Sequence, residues 1–377
     1  MALAASRAYI ALVQKFSAFG HVRLGVIGCG NIAYWSHLRI AKGLEGASLV
    51  AASDPDAAAR KRAGKLTGIT PCEDTDELLA RNDVDAVVIS GPTHLHADMA
   101  IAACSAGKHV YVEKPLATST VDGARVIEAA KRSGVRVMLG FNRRFHPAFE
   151  QARDTILSGR LGRILAVQSS FCEPSAPGTM PEWKRSRETG GGSLLDLASH
   201  HIDLTRWFLS DEVSSVSAAI SSDQSDQDSA RVELEMENGG QVQGWFSFRS
   251  ALSDWFEFAG ELGTLRVDRH SPGLSLRVPR RMGYGVRSER IAPTSALLDW
   301  RMKRIVRPSA EPSYRRALAA FVGVLRGEAR EVPGLDDGMR AIAVVEAAER
   351  AAARGTRATV LPEISNERVS PTESSAG

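Results

Sequence analysis

Between Val22 and Leu139, short apolar runs alternate with longer stretches whose apolar residues recur three and four positions apart. Val22–Ile27, Ser48–Ala52, Val84–Ser90, His109–Val112 and Val135–Leu139 read as buried strands. The stretch from the first strand to Lys42, then Pro55–Lys65, His94–Ala106 and Val121–Ser133, read as helices. Strands separated by helices of this length are β-α-β units and give a parallel sheet covered on both faces. Right-handed crossovers then leave a doubly wound α/β sheet.

After about Arg144 the pattern changes. Arg163–Cys172, Val213–Ser221, Ala230–Met236, Gln241–Phe248, Trp255–Ala259 and Thr264–Val267 form a run of strands with few helices between them. Turns such as Asn238-Gly239-Gly240 separate them. This predicts an α+β domain built on a large, mostly antiparallel open sheet. Tyr314–Arg326 and Gly338–Arg354 are two late helices. The expected organisation is an extension over 1–21, a doubly wound α/β domain over 22–143, an α+β domain over 144–362, and a polar tail over 363–377.

The first 21 residues hold a short apolar run, Ala8–Val13, that Lys15 cuts off. An extra N-terminal helix is therefore expected rather than a signal peptide, although Ala18-Phe19-Gly20 has the form of a cleavage site. No run approaches the length of a membrane span. The chain carries 47 basic and 44 acidic residues, a net +3, which gives no bulk reason to expect nucleic acid. Cys29, Cys72, Cys104 and Cys172 lie far apart and form no C-x-x-C pair. They are expected as reduced thiols of a cytoplasmic protein. Residues 266–312 concentrate 11 Arg/Lys against 4 Asp/Glu. The reading preferred here is a solvated loop and helix; the competing one is attraction for a phosphorylated or nucleotide-linked sugar, with Leu297–Val306 as a basic amphipathic helix.

Three segments carry candidate chemistry. Gly28-Cys29-Gly30-Asn31-Ile32-Ala33 is a G-x-G-x-x-A that follows a strand and opens a helix, the arrangement that seats a pyrophosphate on free N–H groups. Asp54 ends the second strand, where a carboxylate accepts ribose hydroxyls and repels a 2′-phosphate. NAD is favoured over NADP, with Arg60, Lys61 and Arg62 only partly opposing that. Gly107–Pro115 places Glu113 and Lys114 at the C-terminal end of a parallel strand, facing the crevice where such sheets bind ligands. A lysine against a positive nicotinamide ring gives up its proton more readily, which suits proton transfer. Finally, Gly190–Asp203 offers three glycines that leave room for a ligand. A helix follows on which Asp196 and His200 are four residues apart and share a face; His201 turns away. A carboxylate beside a histidine fixes its tautomer and supports a general base. The histidines His94, His96, His200 and His201 with Asp196 do not converge as three ligands on one element, so no metal site is expected.

These three motifs, in this order, resemble the glucose–fructose oxidoreductase / inositol dehydrogenase / rhizopine-catabolism (Gfo/Idh/MocA) family, over about Val22 to Leu361. Supporting matches are Pro92-Thr93-His94-Leu95-His96 and Gly140-Phe141-Asn142-Arg143-Arg144-Phe145. Ala198 stands where many members have glycine. The resemblance implies a Rossmann domain followed by a domain whose open sheet covers the nicotinamide and often forms the interface of a homodimer or homotetramer. It implies Lys114, Asp196 and His200 as the catalytic set, with His200 taking the hydroxyl proton while Lys114 and Asp196 hydrogen-bond and orient the substrate. Glu113 would touch the nicotinamide ribose; Ser90, Pro92, Thr93 and His96 would border the cofactor, with Asn142 beside it. Arg144 and Trp183 would face a small polyhydroxylated substrate. The implied activity is NAD-dependent hydride transfer to or from a secondary hydroxyl of a sugar, cyclitol or sugar derivative. Two alternatives stand beside it: a redox-neutral, NAD-dependent glycosidase and a non-catalytic nucleotide-sensing regulator. The presence of all three catalytic-set residues argues against the regulator.

Overall fold

A computed structural model describes residues 19–175, 179–270, 273–279, 286–291, 311–328 and 330–360. Five parallel strands form the first sheet: β1 (Val22–Ile27), β2 (Ala47–Ser53), β3 (Ala86–Ile89), β4 (His109–Val112) and β5 (Val137–Leu139), in the order β2-β1-β3-β4-β5. β3 and β4 are buried at every residue. A sheet covered by helices on both faces leaves no polar alternation to keep. The flanking helices begin and end on local signals. Asp56 caps Ala57–Thr67 by accepting from the N–H groups of Ala58 and Ala59, and Gly68 closes it in the left-handed region at φ +83. Ser119 and Gly134 do the same for Thr120–Ser133.

The second sheet has nine strands: β6 (Ile164–Cys172), β7 (Val213–Ser221), β8 (Ser229–Met236), β9 (Gln241–Ser247), β10 (Ser253–Gly260), β11 (Gly263–Asp268), β12 (Leu274–Pro279), β13 (Val286–Ile291) and β14 (Ala358–Thr359). Their order is β13-β12-β11-β10-β6-β9-β8-β7-β14. Only β6 and β9 pair in parallel; the other neighbours run antiparallel. β12 and β13 overturn the reading of the basic segment as loop and helix, as far as that segment is described. In β12, Leu274 and Leu276 are buried while Arg277 points to solvent, so arginines on the outer face hide an alternating strand pattern. Leu297–Val306, residues 1–18 and the tail from 361 lie outside the described residues.

The helix Ser199–Leu209 lies on the inner face of this sheet. Phe149, Phe208, Phe256 and Phe258 meet ring to ring at centroid distances of 5.1–6.0 Å. The long helix Leu335–Arg354 packs against both β5 and β7, and Glu346 accepts from the N–H and hydroxyl of Thr120, so one helix ties the two sheets. All four cysteines are buried free thiols. No helix among the described residues is long and apolar enough to cross a membrane.

Candidate active site

The carboxyl ends of β1 to β4 deliver their loops to one edge of the parallel sheet, opposite the turn that opens the Ser199–Leu209 helix. Gly28 has φ +90, and a Cβ there would lie 2.9 Å from the Gly91 backbone nitrogen, so the fold itself requires glycine. Its N–H donates to the Ser53 carbonyl at 2.9 Å and its carbonyl accepts from the Ser90 hydroxyl at 3.0 Å. Gly30 differs. A Cβ there would meet nothing within 4 Å. Its bare backbone leaves open space at the start of the helix, above exposed Asn31 and Ile32, and that cradle fits a dinucleotide pyrophosphate. Asp54, just past β2, accepts from Cys29 N–H at 2.7 Å and from Asp56 N–H at 2.8 Å. These bonds fix the carboxylate beside the loop, as a ribose-binding acid requires. Burial, then the Asp54 charge, pushes the Cys29 thiol up to about 12, so it stays a neutral packing group.

On the nicotinamide side, Pro92 precedes the short turn Thr93–Leu95, and Thr93 is buried. His96 is buried with Nδ1 at 2.7 Å from the Pro115 carbonyl and Nε2 at 2.9 Å from the Gly91 carbonyl. One ring nitrogen donates to its backbone carbonyl and the other faces the second, so the neutral His96 ring is wedged between two loops. Glu113, expected against the ribose, has Oε1 at 2.7 Å from Nε2 of fully buried His37. His37 was not singled out in the sequence. It sits on a π-helical turn, Ala33–His37, whose wider winding no spacing rule anticipates.

At the end of β4, next to Glu113, the peptide bond Lys114-Pro115 is cis. Lys114 Nζ donates to Oδ1 of Asp196 at 2.6 Å and to the Asp196 carbonyl at 2.8 Å. A second ammonium, Lys184 Nζ, reaches Oδ2 of the same carboxylate at 2.8 Å. Burial would raise the Asp196 pKa, but Lys114 and Lys184 outweigh it and hold the carboxyl well below the usual range. For Lys184 burial opposes the charge, Asp196 outweighs it, and the net movement is upward. The expected Asp196–His200 pair is not formed: a buried carboxylate gains most from full positive charges, and two lysines supply them. His200 is buried, with Nδ1 lacking a hydrogen-bond partner and the ring edge-on to Phe141 and Phe171 at 6.5 and 6.0 Å. Burial first, then Arg143 and Lys114, pull its pKa well below the ordinary value, so it is a neutral imidazole.

The neighbouring arginines divide. Arg144 donates through Nε to Asp203 at 2.9 Å and through Nη2 to Asp203 and Asp337 at 2.5 and 2.7 Å, so its guanidinium is taken up by a buried ion cluster. Arg143 lies over the Phe171 ring at 3.7 Å and pairs with fully buried Asp254, which also contacts His201 and Arg269. Arg143, not Arg144, is therefore on the His200 side. Asn142 donates from Nδ2 to the Ser313 hydroxyl at 2.8 Å. Trp183 is half-buried, with the Lys184 ammonium 5.4 Å from its ring.

The triple glycine does more than make room for a ligand. A Cβ on Gly191 would lie 2.1 Å from the Lys184 carbonyl oxygen, and one on Gly190 would lie 2.3 Å from Cβ of Thr93. These residues let the Lys184 loop and the nicotinamide-side turn close over the site. Among the described residues no three His, Cys, Asp or Glu side chains are grouped to hold a metal.

Residues 22–141 match a family described as an oxidoreductase family with an NAD-binding Rossmann fold, and residues 149–266 match the GFO/IDH/MocA C-terminal domain. The chain belongs to the Gfo/Idh/MocA family. An inositol 2-dehydrogenase of Rhizobium meliloti (strain 1021) is 31% identical over 346 residues, 88% of this chain and 97% of the relative. The scyllo-inositol 2-dehydrogenase (NAD(+)) of Bacillus subtilis is 33% identical over 197 residues, 52% of this chain and 56% of the relative. Among solved structures, the WlbA dehydrogenase of Bordetella pertussis in complex with NADH and UDP-GlcNAcA superposes with a TM-score of 0.80 at 25% identity, covering 92% of this chain and 99% of that one. This Gfo/Idh/MocA chain is an oxidoreductase with an NAD-binding Rossmann domain.

Proposed function

We propose that the substrate is a free cyclitol, an inositol or close analogue, whose secondary hydroxyl is oxidised reversibly to a ketone by Lys114, Asp196 and His200. The observation that carries the catalytic assignment is the Lys114–Asp196 contact across the crevice, beside a neutral His200. An ammonium has three donors, and Asp196 takes two of those on Lys114, leaving one for the substrate oxygen. Asp196 accepts a different ammonium on each carboxylate oxygen, so its role is to orient Lys114 rather than to take a proton. Neutral His200 accepts the hydroxyl proton during oxidation and returns it during reduction. Bound NAD supplies the hydride acceptor, and as NADH the donor. Trp183 offers an aromatic face at the rim for the apolar side of a polyol ring. We assign Arg144 to holding Asp203 and Asp337 together and not to the substrate.

The cyclitol reading is supported by a likeness to an inositol 2-dehydrogenase that spans nearly the whole of both chains. A nucleotide-linked sugar is the second reading, favoured by the structural likeness to WlbA, which holds UDP-GlcNAcA. The test is NADH formation from NAD with inositol isomers, free sugars and nucleotide sugars in parallel. Turnover on inositols alone is expected. Turnover confined to nucleotide sugars selects the second reading, and release of a glycone without NADH accumulation selects the redox-neutral glycosidase.

A further inference from the structure

Lys184 lies on a short 3₁₀ turn, Glu182–Arg185, beside Trp183, and its side chain is built into the site although nothing in the sequence singles it out. The loop is fastened at several points. Lys184 N–H donates to the Pro181 carbonyl at 3.0 Å, Gly191 N–H to the Ser186 carbonyl at 2.8 Å, and the Thr189 hydroxyl to the Trp183 carbonyl at 2.7 Å. Gly191 lies against the Lys184 backbone so closely that no side chain fits between them. A loop held this way presents its ammonium in one place. That place is Oδ2 of Asp196, a side chain only 8% exposed whose other oxygen holds Lys114.

We propose that Lys184 is a positioning residue of this active site: by holding Oδ2 of Asp196 it locks the carboxylate's rotation, so that Oδ1 stays on Lys114 and the remaining Lys114 proton faces the reacting oxygen. A carboxylate held on one side only turns about its Cβ–Cγ bond, and the Lys114 ammonium moves with it. A shift of that kind at a group touching the reacting oxygen costs up to about 100-fold in rate. Lys184 also keeps the carboxylate ionised. The charged groups acting on Asp196 are Lys114 and Lys184. Glu173, at the end of β6, acts on Lys184, and His200, further along from Asp196, is neutral. Removing Lys184 therefore moves the Asp196 titration upward.

The inference rests on Lys114, Asp196 and His200 being the catalytic set, so Asp196→Asn is measured alongside. Lys184→Met is expected to lower kcat by roughly 10- to 100-fold while KM and NADH affinity stay near those of the native chain. The acid limb of its kcat/KM profile should move to higher pH, and Lys184→Arg should restore most of the rate. Lys184→Met added to Asp196→Asn should cost nothing further, because the residue acts through Asp196. Gly191→Ala, which displaces the Lys184 backbone, should reproduce the kcat loss. If Lys184→Met no longer binds NADH, Lys184→Gln carries the same comparison. A raised KM with unchanged kcat and pH profile would make Lys184 a substrate contact and overturn the proposal, as would unchanged kinetics throughout. An Asp196→Asn enzyme with native kcat would instead remove the catalytic set itself, whatever Lys184→Met does.

Discussion

Two buried histidines far from the chemistry give this enzyme a narrow acid margin. Nδ1 of His109 accepts the Arg136 N–H at 3.0 Å, and Nδ1 of His146 accepts the Ala148 N–H at 3.3 Å as the cap of the Pro147–Leu157 helix. An imidazolium carries a proton on Nδ1 and accepts nothing there, so each bond exists only in the neutral ring. For His146 the added charge would also stand at the positive end of a helix. Burial, then Arg136, lowers the His109 pKa to about 4; burial, with Arg269 and Arg143 also opposing the charge, lowers that of His146 to about 4. In the unfolded chain both titrate near the ordinary value of 6.5. Their folded pKa values are depressed, so the unfolded state takes up protons first. The stability they contribute is complete above about pH 6.5 and is lost as the pH falls toward 4. At pH 5 the loss is about 2 kcal/mol for each histidine, or about 4 kcal/mol together, against a typical total of about 5–15 kcal/mol. His201, also lowered to about 4 chiefly by burial, adds to the same window. Asp196 and Asp254 stay ionised there, whereas Asp203, raised to about 6 chiefly by burial, takes up its proton in the folded chain across the window and offsets part of the loss. Urea unfolding followed by circular dichroism at pH 7.5, 6.5, 5.5 and 5.0 measures the effect. His109→Gln and His146→Asn keep an acceptor that does not titrate, and each should recover about 2 kcal/mol of the loss at pH 5. A native chain as stable at pH 5.0 as at 7.5 would refute the reasoning.

The other expectations bear on the site. His200→Ala should lower turnover by about 10²–10⁴-fold while NADH titrates as before, since its role is proton transfer; unchanged turnover removes the assignment. Asp54→Ala should weaken NAD much more than NADP, measured by fluorescence titration of both reduced forms, because the lost carboxylate favours one ribose and repels the other's phosphate. Arg144→Met leaves buried Asp203 and half-buried Asp337 with only the more distant Arg206, at 4.0 and 3.6 Å, and should cost about 1–3 kcal/mol in urea unfolding. Its KM for the substrate should stay near native, which separates a structural arginine from a substrate-binding one.

How far the sequence could be read depended on how far each feature extends beyond one side chain. The parallel sheet was legible because a buried strand and an amphipathic helix each impose a pattern over many residues, and β1 and β4 begin and end where their apolar runs do. The places of Gly28, Asp54 and Lys114 just past β1, β2 and β4 were legible because strand ends fix where a loop must lie. β12 and β13 were not, since arginines on the outward positions gave a strand the look of a charged loop. Lys184 was invisible because its contact depends on the absence of a side chain at Gly191, and a missing atom has no periodicity.

The pair Arg143 and Arg144 shows the limit most clearly. Both lie on one 3₁₀ turn, Asn142–Phe145, where successive side chains point about 120° apart. Sequence can place such a turn at the mouth of a site, but which residue faces the chemistry depends on the turn's rotation about its own axis. Packing decides that rotation. Here the Asp203–Asp337 pair draws Arg144 to one side, while Asp254 and the Phe171 ring draw Arg143 to the other. All four partners come from elements well removed in the chain. A residue's role in this site therefore follows from which distant acid claims its charge, and that choice is made only once both sheets have closed around the crevice.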